Sequence, residues 1–267
     1  MDVSDVTVII TVWKRPYLDL QLKSLINQVI KPKEIWIIHN ENYIETKNTS
    51  SKYRDVFPNI SVIHSEINLK YFGRFSICYN VKTRFTLIID DDVIPSSQWI
   101  KICLEKSGQY NAIISCTGRI IRPKNYRPEE FDLGNKNEIL NKYFIGDNYN
   151  EEEYNCFPED TVVDYGCNSY FFKTEWIRNF WRIWPATFDS GEDIHLSATL
   201  KILKSIPTIV PKQNIDTSGN LKKKFSVDQY SSCLHEDFID VRQKVFEYLI
   251  NEQGWRPILW NKTIQTD

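Results

Sequence analysis

The chain has 267 residues, 42% apolar and 25% charged, with a formal net charge of −2. Those totals suit a globular protein with one large α/β core. They exclude a general electrostatic pull toward nucleic acid or anionic lipid, and no apolar run approaches the ~18 residues that span a bilayer.

The six cysteines show no CxxC spacing, and several sit inside apolar runs. Reduced, buried thiols in a cytosolic setting are therefore expected. No basic segment precedes the first apolar run, so the start reads as a strand rather than a signal peptide. The expected location is cytoplasmic, at the membrane periphery or within a longer chain.

Val6 to Val12, VTVIITV, is a near-continuous β-branched run and predicts a central parallel strand. Trp13-Lys14-Arg15-Pro16 breaks it, and Pro16 suits a first helical turn. Leu18, Leu22, Leu25, Ile26 and Val29 then recur at helical spacing. A second strand, Glu34 to Ile38, leaves through the polar exit His39-Asn40-Glu41-Asn42. Tyr43 to Tyr53 reads as loop or irregular helix, and Ile60 to His64 as a short third strand. Asn68 to Val81 carries Lys70, Gly73 and Arg74 ahead of an apolar helix-like run.

Phe85 to Ile89 is a strand buried on both faces. It runs into Asp90, Asp91 and Asp92, and Pro95, Ser96 and Ser97 then mark a turn and a helix start. This order predicts an α/β fold with a mostly parallel central sheet and helices on both faces. Ligands bind such sheets beyond the carboxyl ends of the strands. The exits at Trp13–Arg15, His39–Glu41 and Asp90–Asp92 would collect there.

Three adjacent anions at the end of a buried strand repel one another. A hard, oxygen-ligated divalent ion, magnesium or manganese, would compensate them and hold a diphosphate. Against this stands the ordinary frequency of Asp in turns and of Ser as a helix cap.

Gln98 to Tyr110 predicts a helix and Ala112 to Ile121 one strand. From Arg122 to Asp160 the pattern dissolves into a polar surface loop with the charge run Glu151-Glu152-Glu153. Thr161 to Phe172 reads as two short strands bent at Gly166. Most of the aromatics from Tyr170 to Phe188 belong in a core. A tryptophan at the rim, Trp184 among them, would stack on a sugar ring.

Asp189-Ser190-Gly191-Glu192-Asp193-Ile194-His195 leads the next helix. Ser190 with Asp193 resembles a capping box, and carboxylates suit a first turn. Capping alone does not need both Glu192 and Asp193. Pro207 to Pro211 reads as a strand, and Asn214 to Tyr230 is polar around Lys222-Lys223-Lys224. A last helix, Phe238 to Ile250, places Val241, Val245, Phe246 and Leu249 on one face. With no repeat and no linker, residues 1–267 read as one domain. By the resemblance named next, about 1–120 would be its nucleotide-binding half, about 121–235 its acceptor-binding half and about 236–254 its terminal helix.

VIITVWKRP, LIIDDD and SGEDIH, met in that order, resemble the GT-A glycosyltransferases, namely family-2-like and exostosin-like family-64 enzymes. The resemblance implies a GT-A, Rossmann-like sheet and a metal-dependent transfer from a nucleotide-diphosphate sugar, a UDP-sugar first among them. The acceptor would be a glycan or glycolipid, and bacterial surface polysaccharide the setting. It implies that Thr11, Trp13, Arg15, Asn40, Glu41, Arg74, Asp90 and Asp91 bind the donor. It makes Asp92 and His235 metal ligands for Mn2+ or Mg2+, Asp193 with Glu192 the catalytic carboxylates, and Asn168 and Trp184 acceptor-side. The exostosin-like resemblance points to retention at the anomeric carbon and the family-2 resemblance to inversion.

Two other readings compete. A sugar nucleotidyltransferase would open with a glycine-rich phosphate loop, where this chain has Trp13-Lys14-Arg15-Pro16. A non-catalytic carbohydrate-binding module would account for the aromatic crowding alone.

Overall fold

A computed structural model of the chain describes residues 4–122, 143–146, 155–221 and 228–260. Glu151–Glu153, Lys222–Lys224 and most of the 122–160 stretch lie outside these residues. Its strands are β1 (Val6–Val12), β2 (Glu34–Asn40), β3 (Ile60–Ser65), β4 (Phe85–Ile89), β5 (Ile113–Ile114), β6 (Thr117–Arg119), β7 (Phe144–Ile145), β8 (Thr161–Val163), β9 (Tyr165–Cys167), β10 (Ser169–Lys173) and β11 (Thr208–Val210).

The sheet is laid around β1, which is buried along its length except at the half-exposed Thr11. β1 pairs in parallel with β2 on one side and β4 on the other, and β3 adds in parallel beyond β2. The large sheet runs β3-β2-β1-β4-β10-β5-β11-β8, and a small second sheet runs β7-β6-β9. β10 lies antiparallel between β4 and β5, so a strand from late in the chain seals the edge of the early parallel half.

The period of two along a strand splits the apolar side chains between two cores. Val8, Ile10, Ile35, Ile37, Leu87 and Ile89 face α1 (Leu18–Ile26) and α4 (Trp99–Tyr110). Ile9, Ile38 and Ile88 face α3 (Lys70–Ile77), α5 (Ile177–Phe180) and α6 (Glu192–Lys204). A third cluster joins α6 to α7 (Phe238–Asn251) through Ile194, Ala198, Val245, Phe246 and Leu249. Helices thus cover both faces, as the run of buried strands predicts. Among the described residues no helix is long and apolar enough to cross a membrane, and all six cysteines are free.

Several boundaries differ from the sequence reading. Helix α1 stops at Ile26, and Val29 is exposed. Tyr43 to Tyr53 contains a true helix, α2 (Lys47–Arg54), because the Glu45 carboxylate accepts the amide N–H groups of Asn48 and Thr49. Ala112 to Ile121 is not one strand. The chain crosses from the large sheet to the small one at Ser115, whose hydroxyl is aimed at the Cys167 and Ser169 carbonyls at 2.8 and 2.6 Å. Thr161 to Phe172 forms three strands rather than two, broken at Asp164 and Asn168. Ser96 does not cap a helix, and its hydroxyl donates to the Asp216 carbonyl instead.

Candidate active site

The acidic turn after β4 is fixed by its backbone. The Asp90 N–H donates to the Asn168 carbonyl at 2.9 Å. From α1, the buried Gln21 carboxamide donates to the carbonyls of Asp90 and Val93 at 2.8 and 3.0 Å. The turn is therefore held at both ends while its three carboxylates project beyond the sheet.

Two arginines meet them. Arg74, buried on α3, donates from Nη1 to Asp90 and from Nη2 to Glu192 Oε1 at 2.7 Å. One guanidinium thus joins the end of β4 to the start of α6. Arg15, just past β1, donates from Nη1 to Asp91 at 2.6 Å and lies 3.7 Å from Asp92. Its other edge makes a two-pronged pair with Asp228, at 2.7 and 2.8 Å, the geometry in which guanidinium–carboxylate pairs are strongest.

The remaining donor-side residues flank these. The Trp13 indole N–H donates to Glu41 at 2.5 Å. The Trp13 ring meets Tyr43 and Tyr230 edge-on, and the Lys14 ammonium lies 4.2 Å from its centroid. Asn40 is buried, and its carboxamide oxygen accepts the Leu69 N–H at 3.1 Å, which commits that atom to holding the chain ahead of α3. Thr11 is half-buried near the end of β1.

At the start of α6, Gly191 rather than Ser190 is the cap, with φ +83 and no side-chain cap bond. The capping-box account of Glu192 and Asp193 is therefore not realised. Asp193 accepts the Ile194 N–H at Oδ1 (2.8 Å) and Arg242 Nη2 at Oδ2 (2.8 Å), with the Cys167 sulfur 3.9 Å away. Asn168 adopts φ +68 between β9 and β10, and its carboxamide donates to the Thr117 hydroxyl. Trp184 is 69% exposed beside Phe188. His235 is exposed past a short 3-10 turn. Among the described residues no contact joins Trp184 or His235 to the carboxylates, and no group of three or more His, Cys, Asp or Glu is gathered as a metal centre. The structure does not bring His235 and Asp92 together.

Burial dominates the electrostatics. It pushes the Asp90 carboxyl up to about 7 against the pull of Arg74. It also raises Asp91 despite Arg15, and raises Glu192 with help from the Asp193 charge. Asp228 moves the other way, far below the carboxylate range, because Arg15 bonds to it. Among the described residues, ion pairs join Asp90, Asp91, Asp92, Asp228, Glu192 and Asp193 to Arg15, Arg74 and Arg242. The oxygen-only donor set of the turn fits a hard divalent ion at Asp91 and Asp92.

His195, which closes the GEDIH stretch, is not part of this cluster. It is buried on α6, and its Nε2 lies 2.9 Å from the Phe180 carbonyl, in the geometry of a donated N–H. Burial pushes its imidazole down from 6.5 to about 4. Between those values the unfolded chain binds the extra proton and the fold does not, so stability falls as pH drops through that window. The full loss is about 3 kcal/mol. Urea unfolding from pH 7 to 4 should therefore show a steeper acid limb for the wild type than for His195→Gln, which keeps a donor for the Phe180 carbonyl. Parallel curves would contradict the assignment.

Three residues that shape the site went unread in the sequence. Gln21 and Arg242 carried a faint signal, being polar residues on the apolar stripes of their helices. Asp228 carried none, since it meets Arg15 across 213 residues of chain.

Three solved structures share this fold. TarS of S. aureus superposes with TM-score 0.56 at 15% identity, covering 94% of this chain and 40% of that one. TarS 1–349 in complex with UDP-GlcNAc gives 0.55 at 15% identity, covering 90% and 64%. The mannosyltransferase PcManGT from Pyrobaculum calidifontis, in complex with GDP-Man and Mn2+, gives 0.53 at 13% identity, covering 92% and 69%. This chain therefore spans less than two thirds of either TarS chain, and at these identities the likeness concerns the fold. No curated protein matches the sequence. The family model described as Glycosyl transferase family 2 matches residues 7–175, from β1 through the acidic turn to the end of β10. On that match, which spans more than half of its length, the chain belongs to glycosyl transferase family 2.

Proposed function

We propose that the chain is a metal-dependent glycosyltransferase that moves a sugar from a UDP-sugar to a hydroxyl of a glycan or glycolipid. On this reading it acts as one catalytic domain in the cytoplasm, in the assembly of a bacterial surface polysaccharide. One observation carries the reading: a single buried guanidinium, Arg74, touches both Asp90 at the end of β4 and Glu192 at the start of α6. The two acidic stretches therefore lie beside one another, which supports a donor site and an acceptor site in contact.

In this reading Asp193 takes the proton of the acceptor hydroxyl. The acceptor oxygen bonds to the anomeric carbon as that carbon's bond to the diphosphate breaks, inverting it, and the nucleoside diphosphate leaves. Arg15 and Arg74 supply fixed positive charge beside the phosphates. A divalent ion at Asp91 and Asp92 would, when bound, stabilise the negative charge of the leaving diphosphate. Trp13 and Glu41 flank the nucleoside end. Asn168 and Trp184 lie toward the acceptor.

A thermal-shift and calorimetry screen of nucleotide sugars with and without manganese tests this. A ligand at 100 times its Kd adds about 2.7 kcal/mol, which raises the Tm of a domain this size by roughly 5–10 °C. The expected result is a manganese-dependent shift with a UDP-sugar that disappears in Asp92→Asn. A shift with a GDP-sugar alone would replace the donor. No shift with any nucleotide sugar, together with glycan binding indifferent to chelator, would overturn the reading in favour of a binding module.

A further inference from the structure

We infer that Arg242, on the helix that follows the family-matched span, is a positioning residue for Asp193, fixing the direction in which that carboxylate meets the acceptor. The inference rests on the proposed role of Asp193 as proton acceptor.

Arg242 occupies the buried stripe of α7, one turn after Phe238 and one turn before Val245 and Phe246. An arginine there is costly to desolvate, and an apolar side chain of similar volume often serves stability as well or better. Its guanidinium is nevertheless enclosed, 5.3 Å from the Tyr165 ring and 5.2 Å from the Phe238 ring. From that slot Nη2 reaches Asp193 Oδ2 at 2.8 Å, with both side chains less than a tenth exposed.

The other oxygen of Asp193 accepts the amide N–H of Ile194. Oδ1 thus has one fixed donor, and Oδ2 has Arg242 with the weak Cys167 S–H at 3.9 Å, which sets the plane of the carboxylate and leaves a lone pair of Oδ1 for a hydroxyl. Glu192, the adjacent carboxylate, is paired with Arg74. Two neighbouring anions that would repel each other are thus each paired with a guanidinium, from two different helices.

A second contact makes α7 a brace for the whole turn. Gly191 sits at φ +83, and a Cβ there would come within 2.9 Å of Val245. Val245 lies one helical turn past Arg242, so the same face of α7 touches the turn at two points. Val245 packs against its backbone and Arg242 holds its acid. A misplacement of about 1 Å at such a group costs on the order of 100-fold in rate.

The test uses the whole chain, with the donor identified by the screen above and water as the acceptor, so that kcat is read as donor hydrolysis. Arg242→Gln should lower kcat on the order of 10- to 100-fold while KM for the donor stays put. Arg242→Lys, which restores charge and part of the reach, should recover a share of that loss. Should the Gln variant not fold, the Lys variant carries the test, with kcat lowered and donor KM unchanged. An unchanged kcat would overturn the inference. So would a loss shared equally by donor affinity, or a Lys variant no better than a folded Gln variant. Asp193→Asn separates the two levels. If it transfers as well as the wild type, the role of Asp193 falls. If it is inactive while Arg242→Gln is unaffected, only the positioning role falls.

Discussion

Asp193→Asn is expected to leave manganese-dependent donor binding intact and to reduce sugar transfer by about 10²- to 10⁴-fold, the usual contribution of a positioned general base. Asparagine keeps the shape of the side chain and an oxygen for the Ile194 N–H. It removes the charge and the ability to take a proton. Because Arg242 then loses its anionic partner in a buried setting, the thermal midpoint must be measured alongside turnover. The informative outcome is a folded variant that binds donor and fails in transfer. Full transfer by such a protein would strip Asp193 of its assigned role and return the acceptor side to an open question of which carboxylate acts.

Arg74→Leu is expected to be the most damaging single change to stability. Arg74 is 5% exposed and pairs with two carboxylates at once. Removing one member of a buried ion pair costs about 3–5 kcal/mol, because the stranded charge has lost its water as well as its partner. Asp90 is already pushed up to about 7 by burial, and Glu192 is raised for the same reason. Without the guanidinium both would resist ionisation further. Urea unfolding should show the loss directly, and the thermal midpoint should drop on the order of 10 °C for a domain of this size. A variant within about 1 kcal/mol of the wild type, the scale of an exposed pair, would mean that the fork contributes little and that the two acidic stretches are held together by packing alone.

The parallel half of the sheet was legible in the sequence because its strands are long and buried on both faces. VTVIITV and FTLII admit almost no other reading, and of the helices between them α1 and α3 carry apolar stripes, whereas the polar α2 does not. The second half was harder for a physical reason. β5, β7, β9 and β11 are two or three residues long, too short for any period to show. What ends them is tertiary: the Ser115 hydroxyl bonding across to two carbonyls, and Asp164 accepting the Ile121 and Ile258 N–H groups.

The site divides in the same way. The Asp90–Asp92 and Glu192–Asp193 stretches announced themselves, since carboxylates crowded beside buried apolar runs need an explanation. Their partners could be named only in part. Arg15 and Arg74 stood near a strand exit and an apolar helix. Arg242 was passed over in favour of Val241 as the inward position of α7, although Val241 is only half-buried and Arg242 is the buried one. Periodicity counts apolar residues, so a charged residue on the inward stripe is missed when it is most informative.

The placement of β10 bears on how such proteins can change over generations. That strand comes from late in the chain, yet it lies between β4 and β5 and closes the flank of the early parallel strands. A recombination joint near residue 120 would import a foreign neighbour for β4 or leave its hydrogen-bonding groups bare, an invitation to aggregation. Change in this fold is therefore expected through drift within loops and side chains, not by swapping whole halves between cousins.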